Sequence, residues 1–171
     1  MTGTPTFALV ESNTTGSGRQ FCAAARTRGM RPLVLTTDPA RYPYLAADSV
    51  GSLLVDTAQG GAVLAACRRL AADRLLGVTS SSEYFAVAAA AAARELGLPG
   101  PDPVAVARCR RKDRQRALLA AAGVPQAAFR VAASAVDAES AAEGIGWPVV
   151  IKPVAASGSV GVRCCHGINR K

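Results

Sequence analysis

The chain has 171 residues, one to one and a half average domains, which excludes a large multidomain assembly and leaves length enough for a real core. Half of the residues are hydrophobic, 5% are aromatic and 36 are alanine, so the apolar content is small side chains suited to close helix packing, and the composition argues against disorder. The net charge is +8, and 17 of the 20 basic residues are arginine, so Lys112, Lys152 and Lys171 stand out as the three lysines.

Thr6–Val10 is a short apolar run, followed by Gly16-Ser17-Gly18 and a helical stretch from Arg19 to Arg28 closed by Gly29: strand, glycine turn, helix. Arg31–Thr36 predicts a second buried strand. The segment from Thr37 to Tyr44 carries two prolines and predicts an irregular loop. Ser52–Asp56 reads as a third strand, Gln59–Ala72 as a helix and Arg74–Val78 as a fourth strand running into Thr79-Ser80-Ser81-Ser82. Ser82 is placed to cap a helix from Glu83 to Leu96 that stops at Gly97. Short apolar strands alternating with helices predict an α/β unit with a parallel sheet, because parallel neighbours need crossover connections.

Leu98–Pro103 holds three prolines and a glycine and predicts a boundary, dividing the chain into 1–100 and 101–171. Beyond it the pattern predicts helices at Pro103–Cys109, Lys112–Ala122 and Asp137–Glu143, and strands at Phe129–Val131 and Pro148–Pro153. A small-residue turn, Ala155–Ser159, then leads into an extended segment over Val160–Cys164.

Five cysteines, Cys22, Cys67, Cys109, Cys164 and Cys165, lack CxxC spacing, which argues against a disulfide framework or a zinc site and fits a reducing cytoplasm. The N-terminus has no charged region followed by an apolar one. The stretch Ala86–Ala93, between Glu83 and Arg94, is too short for a membrane span. Gly16-Ser17-Gly18 lies where a dinucleotide fold would place phosphate, but no third glycine follows at the required spacing and Thr36-Thr37 replaces the acidic end of strand two, so a plain tight turn is the better reading. Arg108–Arg116 puts six positive residues in nine, a pattern that suits nucleic acid. It has no interleaved aromatics, which favours a solvated helix face.

Lys152 falls inside an otherwise apolar strand and is followed by Ser157-Gly158-Ser159-Val160-Gly161. An ammonium there is costly to bury without an anion, and a turn of small residues exposes backbone N–H groups to phosphate oxygens, so a polyphosphate is the natural ligand. The bland alternative is an edge-strand lysine with its head in water. The pattern is not a Walker loop, since the lysine precedes the turn. Cys164-Cys165-His166 holds the chain's one histidine with no acidic residue near it, which is a poor metal set.

Taken in order, Leu76–Glu83 before an alanine-rich helix, Glu95–Gly100, Arg111-Lys112-Asp113-Arg114 leading to Ala121–Pro125, Ile145–Pro153 and Ser157–Val162 resemble the front part of an ATP-grasp enzyme. Thr36–Tyr42 and the Thr79–Glu83 stretch bring the resemblance closest to the carboxylate–amine ligase branch that includes L-amino acid ligases. The resemblance runs over residues 6 to 163. It implies a Rossmann-like pre-ATP-grasp unit followed by the first, incomplete α+β subdomain of the grasp. It also implies ATP contacts from Lys112 and Lys152, and a turn of Ser157, Gly158, Ser159 and Gly161 closing over the phosphates.

The family's adenine hinge, magnesium ligands and catalytic arginine would follow this region, so the resemblance assigns no catalytic residue and no metal ligand to this chain. Glu143 is the last acidic residue and none follows Lys152, so Mg²⁺ is expected only for the complete family enzyme. The expected function is therefore that of a truncated ATP-grasp ligase, which activates a small carboxylate with ATP for attack by an amine. The ending Arg163–Lys171 departs from the family's apolar continuation, as a truncated or frame-shifted reading would. The rival expectation is a non-catalytic nucleotide-binding or assembly module completed by a separate chain. A nucleic-acid-binding protein ranks third.

Overall fold

A computed structural model describes residues 3–13 and 16–168. The chain divides into two compact units, one ending at Ala107 and one beginning at Arg108.

The first unit is built on a sheet of four parallel strands, β1 (Thr6–Val10), β2 (Arg31–Thr36), β3 (Gly51–Leu54) and β4 (Leu75–Thr79), in the order β3-β2-β1-β4. The side-chain period of two sorts the central strands onto two faces. Ala8 and Val10 of β1 and Leu33 and Leu35 of β2 pack with Val63, Ala66 and Cys67 of α3 (Gly60–Ala71) and Ala89, Ala92 and Ala93 of α4 (Ala86–Glu95). Leu9 and Val34 point the other way, toward Cys22 of α1 (Ser17–Thr27), Tyr42, and Leu45 of α2 (Tyr44–Ala47). The alanines of α4 explain themselves here, since four of its ten residues are buried and none has a side chain longer than a methyl group.

One glycine of the sheet is imposed by its neighbour. A Cβ at Gly77 would come within 2.8 Å of the Phe7 ring across the β1–β4 pair.

Several sequence expectations are corrected. The helix expected from Glu83 begins at Ala86, and Ser82 is not its cap. The Ser80 hydroxyl takes the Ser82 N–H and donates to the Ser82 carbonyl, closing the serine turn on itself, and Phe85 occupies the cap position. The loop with two prolines is ordered: a 3₁₀ turn at Pro39–Arg41 is capped by the Asp38 carboxylate, and α2 follows Pro43. Both prolines stand where a helical turn begins and no N–H is needed.

The second unit starts within α5 (Pro103–Arg110) and contains α6 (Lys112–Ala121), α7 (Ala135–Ile145) and an antiparallel pair, β5 (Val149–Ile151) and β6 (Arg163–Cys165). α7 opens on a side-chain cap, with Ser134 Oγ accepting from Asp137 N at 3.1 Å. The strand expected at Phe129–Val131 is irregular backbone, because no neighbouring strand among the described residues offers a ladder there and Val131 is 62% exposed. The extended segment expected from Val160 begins three residues later. Residues 157–162 turn instead, held by Val160 N to Ser157 O and Val162 N to Ser159 O.

The proline-rich segment lies with the first unit. Asp102 is 3.6 Å from the Arg94 guanidinium, Pro103 is buried, and a Cβ on Gly100 would sit 3.2 Å from the Ala93 methyl.

Candidate functional site

Of the residues singled out in the second unit, the structure brings Lys112 together with the 154–161 turn. The Lys112 backbone N–H donates to the Val154 carbonyl at 3.0 Å, and its ammonium donates to the Ala156 carbonyl at 2.6 Å. Lys112 is the first residue of α6, where the backbone N–H has no helical partner, so the turn supplies what the helix end lacks. Beside it the Arg111 guanidinium pairs with Asp113 at 2.8 Å and holds that carboxyl below its ordinary value.

The turn has the backbone for which small residues were needed. Gly158, Ser159 and Gly161 all have φ between 60° and 73°, in the left-handed region. Gly161 is required twice over, because a Cβ there would also come within 2.8 Å of Pro153 Cγ. Three left-handed residues within four positions let the chain reverse tightly before β6.

Lys152 is corrected in one respect. It lies just past β5 and is exposed, so no anion is required to offset a buried charge. Among the described residues it makes no hydrogen bond or ion pair, so its ammonium is available to a ligand. In the basic run, Lys112 bonds Ala156, Arg111 bonds Asp113 and Arg116 bonds the Gln126 amide at 3.2 Å, so these cations are engaged within the protein.

Cys164 and His166 share a strand face at the end of β6, with Sγ 3.7 Å from Nε2. Among the described residues there is no group of three or more His, Cys, Asp or Glu side chains that could hold a metal ion.

A second polar cluster lies in the first unit, at the carboxyl ends of β1 and β4, where the strand order reverses. In open α/β sheets ligands bind at this place, because the connections on either side diverge and leave a crevice. Ser12 and Asn13 follow β1. Asn13 N donates to Ser81 Oγ at 3.1 Å, Ser12 Oγ lies 3.3 Å from the same hydroxyl, and the Asn13 side chain accepts from Gly18 N and donates to Ser17 Oγ. Gly16 takes φ 104° at the start of α1. A Cβ on Gly18 would overlap Ser12 Oγ at 1.7 Å, so the glycine cluster is what lets α1 approach the β1 loop.

The sequence reading passed over Glu11. It is fully buried, has φ 54° and receives hydrogen bonds from Thr36, Thr37, Tyr42 and Thr57. The signal available was an acidic residue directly after an apolar strand. It carries no motif, and its four partners are 25 to 46 residues away.

No family model matches the chain. Over 159 residues it is 40% identical to the uncharacterized protein y4rH of Sinorhizobium fredii (strain NBRC 101917 / NGR234), an alignment that takes in 92% of this chain and 33% of that protein. Among solved structures it is similar to the L-amino acid ligase from Bacillus licheniformis, at TM-score 0.71 and 21% identity over 95% of this chain and 39% of that one. It is similar also to an N5-carboxyaminoimidazole ribonucleotide synthetase in complex with ADP, at TM-score 0.75 and 15% identity, covering 98% of this chain and 42% of that one. A carboxyaminoimidazole ribonucleotide synthase from Aspergillus clavatus complexed with ATP matches at TM-score 0.71 and 21% identity, over 96% and 42%.

The fold is thus that of the N-terminal portion of ATP-grasp enzymes: a Rossmann-like unit with a parallel sheet, then the beginning of an α+β subdomain. The chain spans about a third of y4rH and about two fifths of these solved structures. No helix among the described residues is long and apolar enough to cross a membrane.

Proposed function

We propose that this chain is the N-terminal portion of an ATP-dependent carboxylate–amine ligase, and that its second unit holds the ATP phosphates. The observation that carries this reading is the attachment of Lys112, by backbone and ammonium, to a turn with left-handed residues at 158, 159 and 161. ATP supplies a phosphoryl group to the carboxylate, and an amine displaces the resulting phosphate to form an amide, with ADP and phosphate released. The residues of this chain contribute positioning and charge to that reaction and no nucleophile.

In this reading the ammonium of Lys112 moves from the Ala156 carbonyl to a phosphate oxygen, a charge-assisted bond stronger than the one it leaves. Lys152, exposed and without a protein partner among the described residues, adds a second cation. The backbone N–H groups of Ser157, Gly158, Ser159 and Gly161 wrap the phosphates. Mg²⁺ would be expected in the complete enzyme, where it would neutralise phosphate charge, and no residue of this chain is assigned to hold it. The small carboxylate and amine substrates, and a cytoplasmic setting, belong to the same proposal.

The test is titration of the 171-residue chain with ATP, read by isothermal calorimetry and by fluorescence of Trp147, which stands two residues before β5. Binding is expected to weaken on the order of tenfold or more in Lys112→Ala and in Lys152→Ala, the loss that follows removal of a charged hydrogen-bond donor. Absence of saturable binding at millimolar ATP, or affinity unchanged from the parent chain in both variants, overturns the reading.

A second reading is a nucleotide-binding module completed by another polypeptide. It is favoured by the apolar side chains that the second unit leaves in solvent, among them Val131, Val136, Val150 and Val160. ADP release by the isolated chain with Mg²⁺ and an amino-acid panel would sink it, and would equally sink the view that ligation needs more than this chain supplies.

A further inference from the structure

Among the described residues the carboxylate of Glu11 has five donors and no cation. Oε2 accepts from Tyr42 OH at 2.6 Å and from Thr36 Oγ1 at 2.8 Å. Oε1 accepts from Thr57 Oγ1 at 2.7 Å, from Thr37 N at 2.9 Å and from Thr37 Oγ1 at 3.3 Å. Two of these hydroxyls have their direction set from behind: Tyr42 OH accepts from Ser12 N at 3.2 Å, and Thr36 Oγ1 accepts from Asp38 N at 3.1 Å. A hydroxyl that has accepted a backbone N–H turns its own proton onward, so both point protons at Oε2, while the Thr37 N–H is fixed toward Oε1. The cage therefore takes an acceptor with no proton of its own. A glutamine, or a protonated glutamic acid, would set a donor against at least one of these donors.

We infer that Glu11 is a positioning residue for the ligand rim of the first unit: its ionised carboxylate orients Tyr42, and Tyr42 fixes the Ser12–Asn13 loop that meets Ser81 and the start of α1. The chain of bonds is short and runs one way. Ser12 N donates to Tyr42 OH, Tyr42 OH donates to Glu11, and the Asn13 N–H beyond Ser12 donates to Ser81. The same carboxylate draws together the ends of β1 and β2, the 3₁₀ turn and Thr57, which follows β3.

The surrounding titratable groups do not compete for it. Asp38 bonds Ala40 N, and Asp56 bonds Ala58 N and the Gln59 amide. Arg41 lies over the Tyr42 ring at 5.8 Å, and the Tyr44 ring stands 6.2 Å from that of Tyr42 on its other contact. The Tyr44 phenol is pushed up to about 12, chiefly by burial, and the Cys22 thiol of α1 is raised for the same reason, so both stay neutral. Burial raises the Glu11 carboxyl, but the bonds from Tyr42, Thr57, Thr37 and Thr36 together outweigh it and leave it below its ordinary value of 4.5. With the folded value depressed, the contribution of Glu11 is present above pH 4.5 and is lost as the pH falls through the folded value.

The experiment follows backbone amides of the 171-residue chain by NMR without nucleotide, so its outcome is independent of whether the second unit binds ATP. The amides of Ser12 and Asn13 are expected to titrate with the Glu11 carboxyl carbon at one midpoint below pH 4.5, while that of Val150 in β5 does not. Glu11→Gln should shift Ser12, Asn13 and Ser81 and abolish that titration. Tyr42→Phe should shift the same three amides and leave the carboxyl titrating. Thr57→Val, which removes a donor from the opposite oxygen, should leave them in place. Should Glu11→Gln fail to fold, Tyr42→Phe decides. Unshifted rim amides in a folded Glu11→Gln or Tyr42→Phe protein, or equal shifts in Thr57→Val, would show Glu11 to be structural filling and overturn the inference.

Discussion

The two units of this chain use the same alanine-rich composition to opposite effect. In the first, 21 hydrophobic residues are buried, in layers on both faces of a four-stranded sheet. In the second, Ala142 is the one buried residue among those described, and eight large apolar side chains from Leu118 to Val160 are exposed. The difference is topological. Parallel strands joined by helices acquire neighbours on both sides as the chain proceeds, whereas β5 and β6 have only each other among the described residues, and a two-stranded ribbon has no second layer to exclude water. Candidate chemistry follows the same division. The first unit holds a buried, fully bonded carboxylate, and the second presents an exposed lysine, Lys152, and a turn to which the half-buried Lys112 is bonded.

The sharpest way to break this comparison is hydrogen exchange. Amides of β1 and β2 should exchange slower than those of β5 and β6 by a factor on the order of a thousand, since the central strands open with the whole unit while a lone hairpin opens locally. Equal protection would refute the contrast. Next come paired truncations read by chemical denaturation. Leu35→Ala, at a fully buried side chain, should destabilise the first unit by about 2–5 kcal/mol. Val136→Ala, at a side chain 75% exposed, should change stability by no more than about 0.5 kcal/mol.

The smallest signal is chemical. Cys109, Cys164 and Cys165 of the second unit should react with a thiol reagent in the native protein. Cys22 and Cys67 should wait for denaturation, being buried with their thiols pushed up, that of Cys67 to about 11. Two slow thiols sharpen the comparison, and five fast ones would break it.

The parallel sheet was legible because each of its strands is a run of apolar residues bounded by polar or glycine turns, and a buried strand can hardly be written otherwise. Boundaries drifted where a local hydrogen bond competed with the pattern. Ser82 has the chemistry of a cap, yet the Ser80 hydroxyl takes its N–H and moves the helix start to Ala86. Phe129–Val131 has strand residues and no strand beside it, which composition cannot report.

In the candidate site, the glycines of the 157–161 turn were readable, since left-handed backbone and the contact with Pro153 both select glycine at 161. Lys112 was singled out by resemblance, but its two bonds to the turn lie 42 and 44 residues ahead and depend on the folded unit.

Local chemistry by itself therefore determined the four parallel strands of the first unit, helices α1, α3 and α4, and the glycine-dependent turns, because each is set by side-chain period and φ within a few residues. Only the tertiary structure decided what Glu11 is. A carboxylate after a strand is ordinarily a solvated charge, and it becomes a buried anion here because hydroxyls from positions 36, 42 and 57 converge on it. The same holds for Lys152, whose apolar sequence neighbours predicted burial, while a sheet of two strands leaves it in water. Burial is a property of what packs on a residue from a distance, and no window of sequence contains it.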